Sequence, residues 1–371
     1  MPGSPVLERV PGQEGAIAFL VQAAARPHHA YVLAGPEGSG KSLAARGFAA
    51  ALLCANGGCG ECRACRLALE DHHPNEFIVE PEGRDIHVDT IREEVWHPAY
   101  RTAPEPGRKV FLIREADRLS PAAADTLLKV LEEPPADAVL LLLSARPDEL
   151  PETVLSRCHV VTFLPLEESF VAEALESEGV SRETSVLSAR LAGGNLGRAR
   201  RLATGRDGMS FRDAGIRALE LAAGGPAGAL AAAEAVLAAS DAYRKGLRED
   251  LREELAPFLD ERGKPEEAFR GVIRRIEERH RRRERRAERD FVDWVLLAVS
   301  SLLRDRVLVA RGGNPAGLIN LDRPPEPGGA AQAATALGHV EEARAALADD
   351  TNLNVRLVLE NAFLKVATAG R

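Results

Sequence analysis

Gly35-Pro-Glu-Gly-Ser-Gly-Lys41-Ser42 is a complete phosphate-binding loop. In such a loop the backbone N–H groups and the lysine cradle phosphates, and the serine hydroxyl reaches a Mg²⁺ ion. Four fixed positions match by chance in unrelated chains, where they mark only a glycine turn, so the flanks decide the reading. His29-Ala-Tyr-Val-Leu-Ala34 before the loop is a buried-strand pattern, and Ser42 to Leu53 after it is Ala/Leu-rich and helix-prone. Strand, loop and helix in that order predict an α/β domain that binds ATP through Gly35, Pro36, Glu37, Gly38, Ser39, Gly40, Lys41 and Ser42.

A P-loop site also takes an Asp from the end of a neighbouring strand to help hold the metal. Here that strand reads Val110-Phe-Leu-Ile-Arg114-Glu115, with a cation in the Asp position. The expectation is a chain that holds ATP with impaired Mg²⁺ coordination and splits it weakly or not at all. On that reading Arg114→Asp improves Mg²⁺-dependent binding.

Beyond the loop, 371 residues exceed one ordinary core and predict two or three domains. Hydrophobic content of 45% with only 4% aromatic residues leaves Ala, Leu and Val to fill helical cores. No apolar run reaches a membrane span, and Met1-Pro-Gly-Ser4 has no signal-peptide pattern, so the expected location is cytoplasmic. A net charge of −8 argues against wholesale binding to a phosphate backbone and favours protein partners.

Strands are expected at Ala30–Ala34, Glu76–Glu80, Lys109–Arg114, Val139–Ser144 and His159–Leu164, alternating with helices as in a parallel sheet. Pro121–Glu133 has helical spacing and stops at Pro134-Pro135. The expected division is residues 1–165 as the P-loop domain, 166–208 as a small helical lid, and 209–371 as an all-helical domain interrupted by a Gly/Pro-rich stretch at Arg311–Ala330.

Cys54, Cys59, Cys62 and Cys65 fall within twelve residues, with glycines between them to supply turns. Four thiolates suit tetrahedral structural Zn²⁺, with reduced thiols or an iron–sulfur cluster as the other readings. Arg157, between a helical segment and the last strand, reads as a solvated charge or as an arginine finger that reaches a neighbour's γ-phosphate. Arg270–Arg289 is the most basic stretch. Its Glu277/Arg281 and Glu278/Arg282 spacings favour a solvated helix over a DNA contact.

Several segments together resemble the bacterial DNA polymerase III clamp-loader subunits of the AAA+ class. They are Val10-Pro-Gly-Gln13, His29-Ala-Tyr31 leading into the loop, the cysteine cluster, Leu127-Leu-Lys-Val-Leu-Glu-Glu-Pro-Pro135 and Thr153-Val-Leu-Ser-Arg-Cys158, in the family's order. The match covers about the first 200 residues; the helical remainder agrees by length, position and a closing Asn352-Leu-Asn…Leu-Glu360-Asn pattern. The resemblance implies an AAA+ domain, a lid and a collar that joins a ring of subunits. Val10 and Arg198 would join the nucleotide site, Glu115 and Ser144 would take the strand-end and sensor positions, and Arg157 would be a finger acting in trans. Implied partners are the gamma/tau and delta subunits, the sliding clamp and primed DNA.

Within the family the departures point to delta-prime, a stator, rather than to the gamma/tau motor. Motors carry Asp-Glu where this chain has Arg114-Glu115. Their Gly-Ser-x-Arg-Asp sensor is replaced here by Gly194-Asn-Leu-Gly197-Arg198, which sets Arg198 one residue late and rotates it by about 100° on a helix. The spacing from Cys54 to Cys59 is shorter than the family's. A gamma/tau-like motor is the first alternative; a P-loop phosphotransferase acting on a small molecule is the second.

Overall fold

The computed structural model describes residues 4–81, 85–204, 208–258, 270–325, 329–349 and 353–369. Side chains at 204–210, 253, 257, 270–272, 274–275, 278–279, 282–283, 285–286 and 349 lie outside the description. The chain divides into two compact units, Met1–Val171 with Gly193–Gly197, and Ala172–Ala192 with Arg198–Arg371. The stretch expected as a lid is thus shared between them.

In the first unit the elements run α1 (Glu14–Ala25), β1 (Ala30–Ala34), α2 (Lys41–Leu53), α3 (Arg63–Leu69), β2 (Glu76–Val79), α4 (Val88–Ile91), α5 (His97–Ala99), β3 (Lys109–Ile113), α6 (Pro121–Glu132), β4 (Ala138–Ser144), α7 (Glu152–Leu155) and β5 (His159–Thr162). The five strands form one parallel sheet in the order β2-β3-β4-β1-β5. Three central strands, Ala-Tyr-Val-Leu-Ala, Lys-Val-Phe-Leu-Ile and Ala-Val-Leu-Leu-Leu-Leu-Ser, are buried at every position. Continuous apolar runs are what a sheet covered on both faces requires.

Alternate residues feed two cores. Val32, Phe111, Ile113, Leu140 and Leu142 pack with Leu127 and Val130 of α6, whereas Tyr31, Leu33, Val110, Leu112 and Leu141 pack with Ala45 and Phe48 of α2. Helix α6 starts because Ser120 caps it by accepting from the Ala123 N–H and Pro121 holds its first position. It ends before Pro134-Pro135, as the sequence predicts.

The remaining helices are α8 (Glu168–Ser177), which straddles the boundary, α9 (Arg182–Ala192), α10 (Leu196–Thr204), α11 (Gly208–Ala222), α12 (Pro226–Leu255), α13 (Arg270–Ala310), α14 (Ala330–Asp349) and α15 (Val355–Thr368). Among the described residues the second unit has no strand. Its main core joins α11 to α15 through Phe211, Val236, Phe291, Leu296, Val340 and Phe363. The Gly/Pro-rich stretch is pinned by buried Asn320, which donates to Asp305, and by Asp322, which pairs with buried Arg212 at 2.7 Å.

Helix α13 carries the Arg-rich stretch. Glu277 and Arg281 are exposed on it, while the Glu278/Arg282 pair and the side chains of Arg279, Arg283, Arg285 and Arg286 lie outside the described residues. No helix among the described residues is long and apolar enough to cross a membrane.

Candidate functional site

The phosphate loop leaves β1 at the carboxyl end of the sheet and delivers its last residues to the start of α2, so the helix N-terminus and its orphan N–H groups face the cradle. Gly35 and Gly38 are required by their surroundings. A Cβ on Gly35 would lie 2.1 Å from the Phe163 carbonyl oxygen, and one on Gly38 would lie 1.9 Å from Cγ of Asn195. Both also hold positive φ, 149° and 75°. Lys41 donates to the carbonyls of Gly35 and, at 2.7 Å, of Pro36. Burial lowers its pKa, while Glu37 and Asp117 pull it back up. An ammonium held on its own loop's carbonyls beside a buried, unpartnered Ser39 Oγ is a cradle whose polar groups suit phosphate.

Val10 lies against the loop, 3.4 Å from where a Gly40 Cβ would be. Three residues on, buried Gln13 binds the loop to the sheet. Its amide N–H₂ donates to the Ser39 carbonyl at 3.0 Å and the Leu164 carbonyl at 2.7 Å, and its Oε1 accepts from the Leu164 N–H at 3.1 Å. Gln13 stands in a segment the sequence singles out, yet nothing local reveals a partner 151 residues away.

Ser144, at the end of β4, hydrogen-bonds Asp117 at 2.9 Å. Asp117 is the acidic residue that sequence reasoning passed over, two positions beyond Glu115. It is only 5% exposed and also engages Arg146. Glu115 itself sits at φ 50°, a left-handed conformation that costs a non-glycine residue about 1–2 kcal/mol. Its carboxylate pairs with Arg118 at 3.1 Å.

Arg114 does not stand free at the metal position. Its guanidinium donates to Asp71 at 2.6 Å and to Glu80, and Asp71 also takes Arg46 of α2 in a two-pronged pair at 2.6 and 2.8 Å. Burial raises the Asp71 pKa, but the two guanidinium groups outweigh it and hold the carboxyl below its usual range. Beside them Glu76 has both carboxyl oxygens buried without a hydrogen-bond partner. Burial, with the Asp71 charge adding to it, pushes its pKa up to about 8. The replacement at position 114 is therefore one member of a charge cluster on the α2 face of the sheet.

Arg198, expected near nucleotide, belongs to the second unit, where its guanidinium lies 5.5 Å from the centre of the Trp294 ring. Arg157 keeps 35% of its side chain exposed, donates to the Thr153 carbonyl at 2.8 Å and pairs with Glu132 at 2.7 Å. Cys158, next to it, is a half-buried thiol whose pKa burial pushes up to about 12, which keeps it chemically quiet.

The four clustered thiols converge. Cys54 Sγ lies 3.8 Å from Cys59 and 3.6 Å from Cys62, Cys59 lies 3.9 Å from Cys65, and all four fall within 4.8 Å of one another. Four sulfurs at about 2.3 Å from one ion stand about 3.8 Å apart along the edges of a tetrahedron, so the set fits a single metal, Cys54 included. Burial raises the Cys54 thiol, but N–H groups of Cys59, Gly58 and Asn56 outweigh it and bring it to about 6, toward the thiolate a metal needs.

A parallel sheet in this order, with the phosphate loop after β1 and Ser144 at the end of β4 beside it, is the fold expected of an AAA+ P-loop domain. Residues 12–167 match the family model described as "DNA polymerase III, delta subunit". DNA polymerase III subunit delta' of Pseudomonas aeruginosa is 47% identical over 136 residues, 35% of this chain and 41% of that protein. The delta' subunit of Bacillus subtilis is 33% identical over 172 residues, 45% of this chain and 51% of that protein. The tau/gamma subunit of Haemophilus influenzae is 38% identical over 173 residues, 45% of this chain and 25% of that protein. Through this matching region the chain is similar to DNA polymerase III subunits, most of all to delta'. The chain spans about half or less of the length of these curated relatives.

Proposed function

We propose that the chain is a stator of delta-prime type in a DNA polymerase III clamp loader. It would bind ATP without efficient hydrolysis, supply Arg157 to the ATPase site of an adjacent gamma/tau subunit, and help load the sliding clamp on primed DNA beside a delta subunit. The observation that carries this is Arg114: where a motor needs a metal-holding carboxylate, a guanidinium is committed to Asp71 and Glu80. Arg157 supports the second half, because its weak surface pair with Glu132 is easily exchanged for a phosphate. Zn²⁺ in the four-cysteine set would brace the end of α2 and all of α3. It would be structural, because four thiolates leave no open coordination position.

ATP turnover by the isolated chain tests the reading. Turnover at about one per second or faster, an ordinary motor rate, sinks it. That outcome favours the motor reading, to which the tau/gamma relative lends its 38% identity. Co-purification supplies the partners: gamma/tau and delta subunits should travel with this chain.

A further inference from the structure

Ser144 and Asp117 bear on which nucleotide the loop accepts, an inference that rests on reading the loop as a nucleotide site. Ser144 stands beside the cradle, because its carbonyl accepts from the Gly35 N–H at 3.1 Å. A serine hydroxyl owns one donor and two lone pairs, whereas a carboxylate only accepts. With Asp117 Oδ1 at 2.9 Å, the hydroxyl proton lies on that bond. The Ser144 oxygen in turn accepts from the Arg146 N–H at 3.1 Å. No donor on Ser144 is left for a phosphate.

Asp117 is held firmly in this role. It also accepts from the Ala145 N–H at 3.2 Å and the Arg146 guanidinium at 3.3 Å, with its side chain 5% exposed. Its charge faces Lys41, the group that in such loops reaches the β- and γ-phosphates. The outer end of the cradle therefore presents a carboxylate and a hydroxyl showing only lone pairs, where a third phosphate would look for donors. Arg146 cannot reverse this, since it is shared between Asp117 and Glu149.

We propose that the site does not read the γ-phosphate: it takes a nucleoside diphosphate as readily as a triphosphate, and Asp117 is the residue that makes it so. The test is competition of ATP and ADP, each with Mg²⁺, against a fluorescent adenine nucleotide on the full chain. Wild-type affinities should agree within about threefold. Asp117→Ala frees the hydroxyl and removes the charge, so ATP should tighten about tenfold relative to ADP, the size of one hydrogen bond to a charged group. Asp117→Asn keeps the side-chain volume and should shift the ratio the same way by less, which covers the case in which Asp117→Ala does not fold. A wild-type preference for ATP of about tenfold or more overturns the proposal, as does a folded Asp117 variant with an unchanged ratio. Failure of both nucleotides to bind, with Lys41→Ala indistinguishable from wild type, instead sinks the nucleotide reading beneath it.

Discussion

Arg114→Asp restores the carboxylate that a P-loop motor carries, and on the sequence alone it should improve Mg²⁺-dependent binding. The structure reverses the expectation. Arg114, Asp71 and Glu80 keep 20%, 18% and 25% of their side chains exposed, so the pairs are largely out of water. Removing one partner of such a pair costs about 3–5 kcal/mol, because the remaining charge stays buried. Here the new carboxylate would also face Asp71, Glu80 and Glu76, with Arg46 the cation left on Asp71. For a unit of this size that loss lowers Tm by about 6–20 °C. Thermal unfolding by circular dichroism at pH 7 reads the stability, and nucleotide titration with and without Mg²⁺ reads the metal. A variant that melts with wild type and binds nucleotide more tightly with Mg²⁺ refutes the reasoning, and Arg114 is then only a cation standing in the metal's place.

Glu76→Gln should stabilise the chain at neutral and alkaline pH. A carboxyl raised from 4.5 to about 8 on folding binds its proton more tightly in the folded state, so its stability is full below about 4.5 and falls as pH rises toward 8. The difference between variant and wild type should grow by up to about 1.4 kcal/mol per pH unit across that window, and a difference independent of pH from 5 to 8 rules this out. Metal analysis of reduced protein should find about one zinc per chain, lost with Cys62→Ser while the P-loop unit stays folded; zinc-free protein with four titratable thiols ends that proposal. Arg157→Ala should leave this chain folded and assembled yet reduce ATPase and clamp loading by the reconstituted complex. A finger in related hydrolases contributes about 10³–10⁵ at the one site it faces, and unchanged loading makes Arg157 a surface charge.

The phosphate loop, the cysteine set and all five strands were legible in the sequence, and for one reason. Each is contiguous, and each works through the backbone or through burial: glycine dihedrals shape the loop, and apolar runs make strands covered on both faces. The strand ends differ from expectation by at most two residues; Arg114, one past the end of β3, still donates its N–H to the Val79 carbonyl of β2 at 2.9 Å. Side-chain charge was not legible in this way. Arg114 finds Asp71 and Glu80 across 43 and 34 residues, Gln13 reaches Leu164 across 151, and Ser144 commits its proton to Asp117 across 27. Residue type states what a polar group can do; only the tertiary structure, by choosing its partner and removing water from the pair, decides whether that capacity is still available.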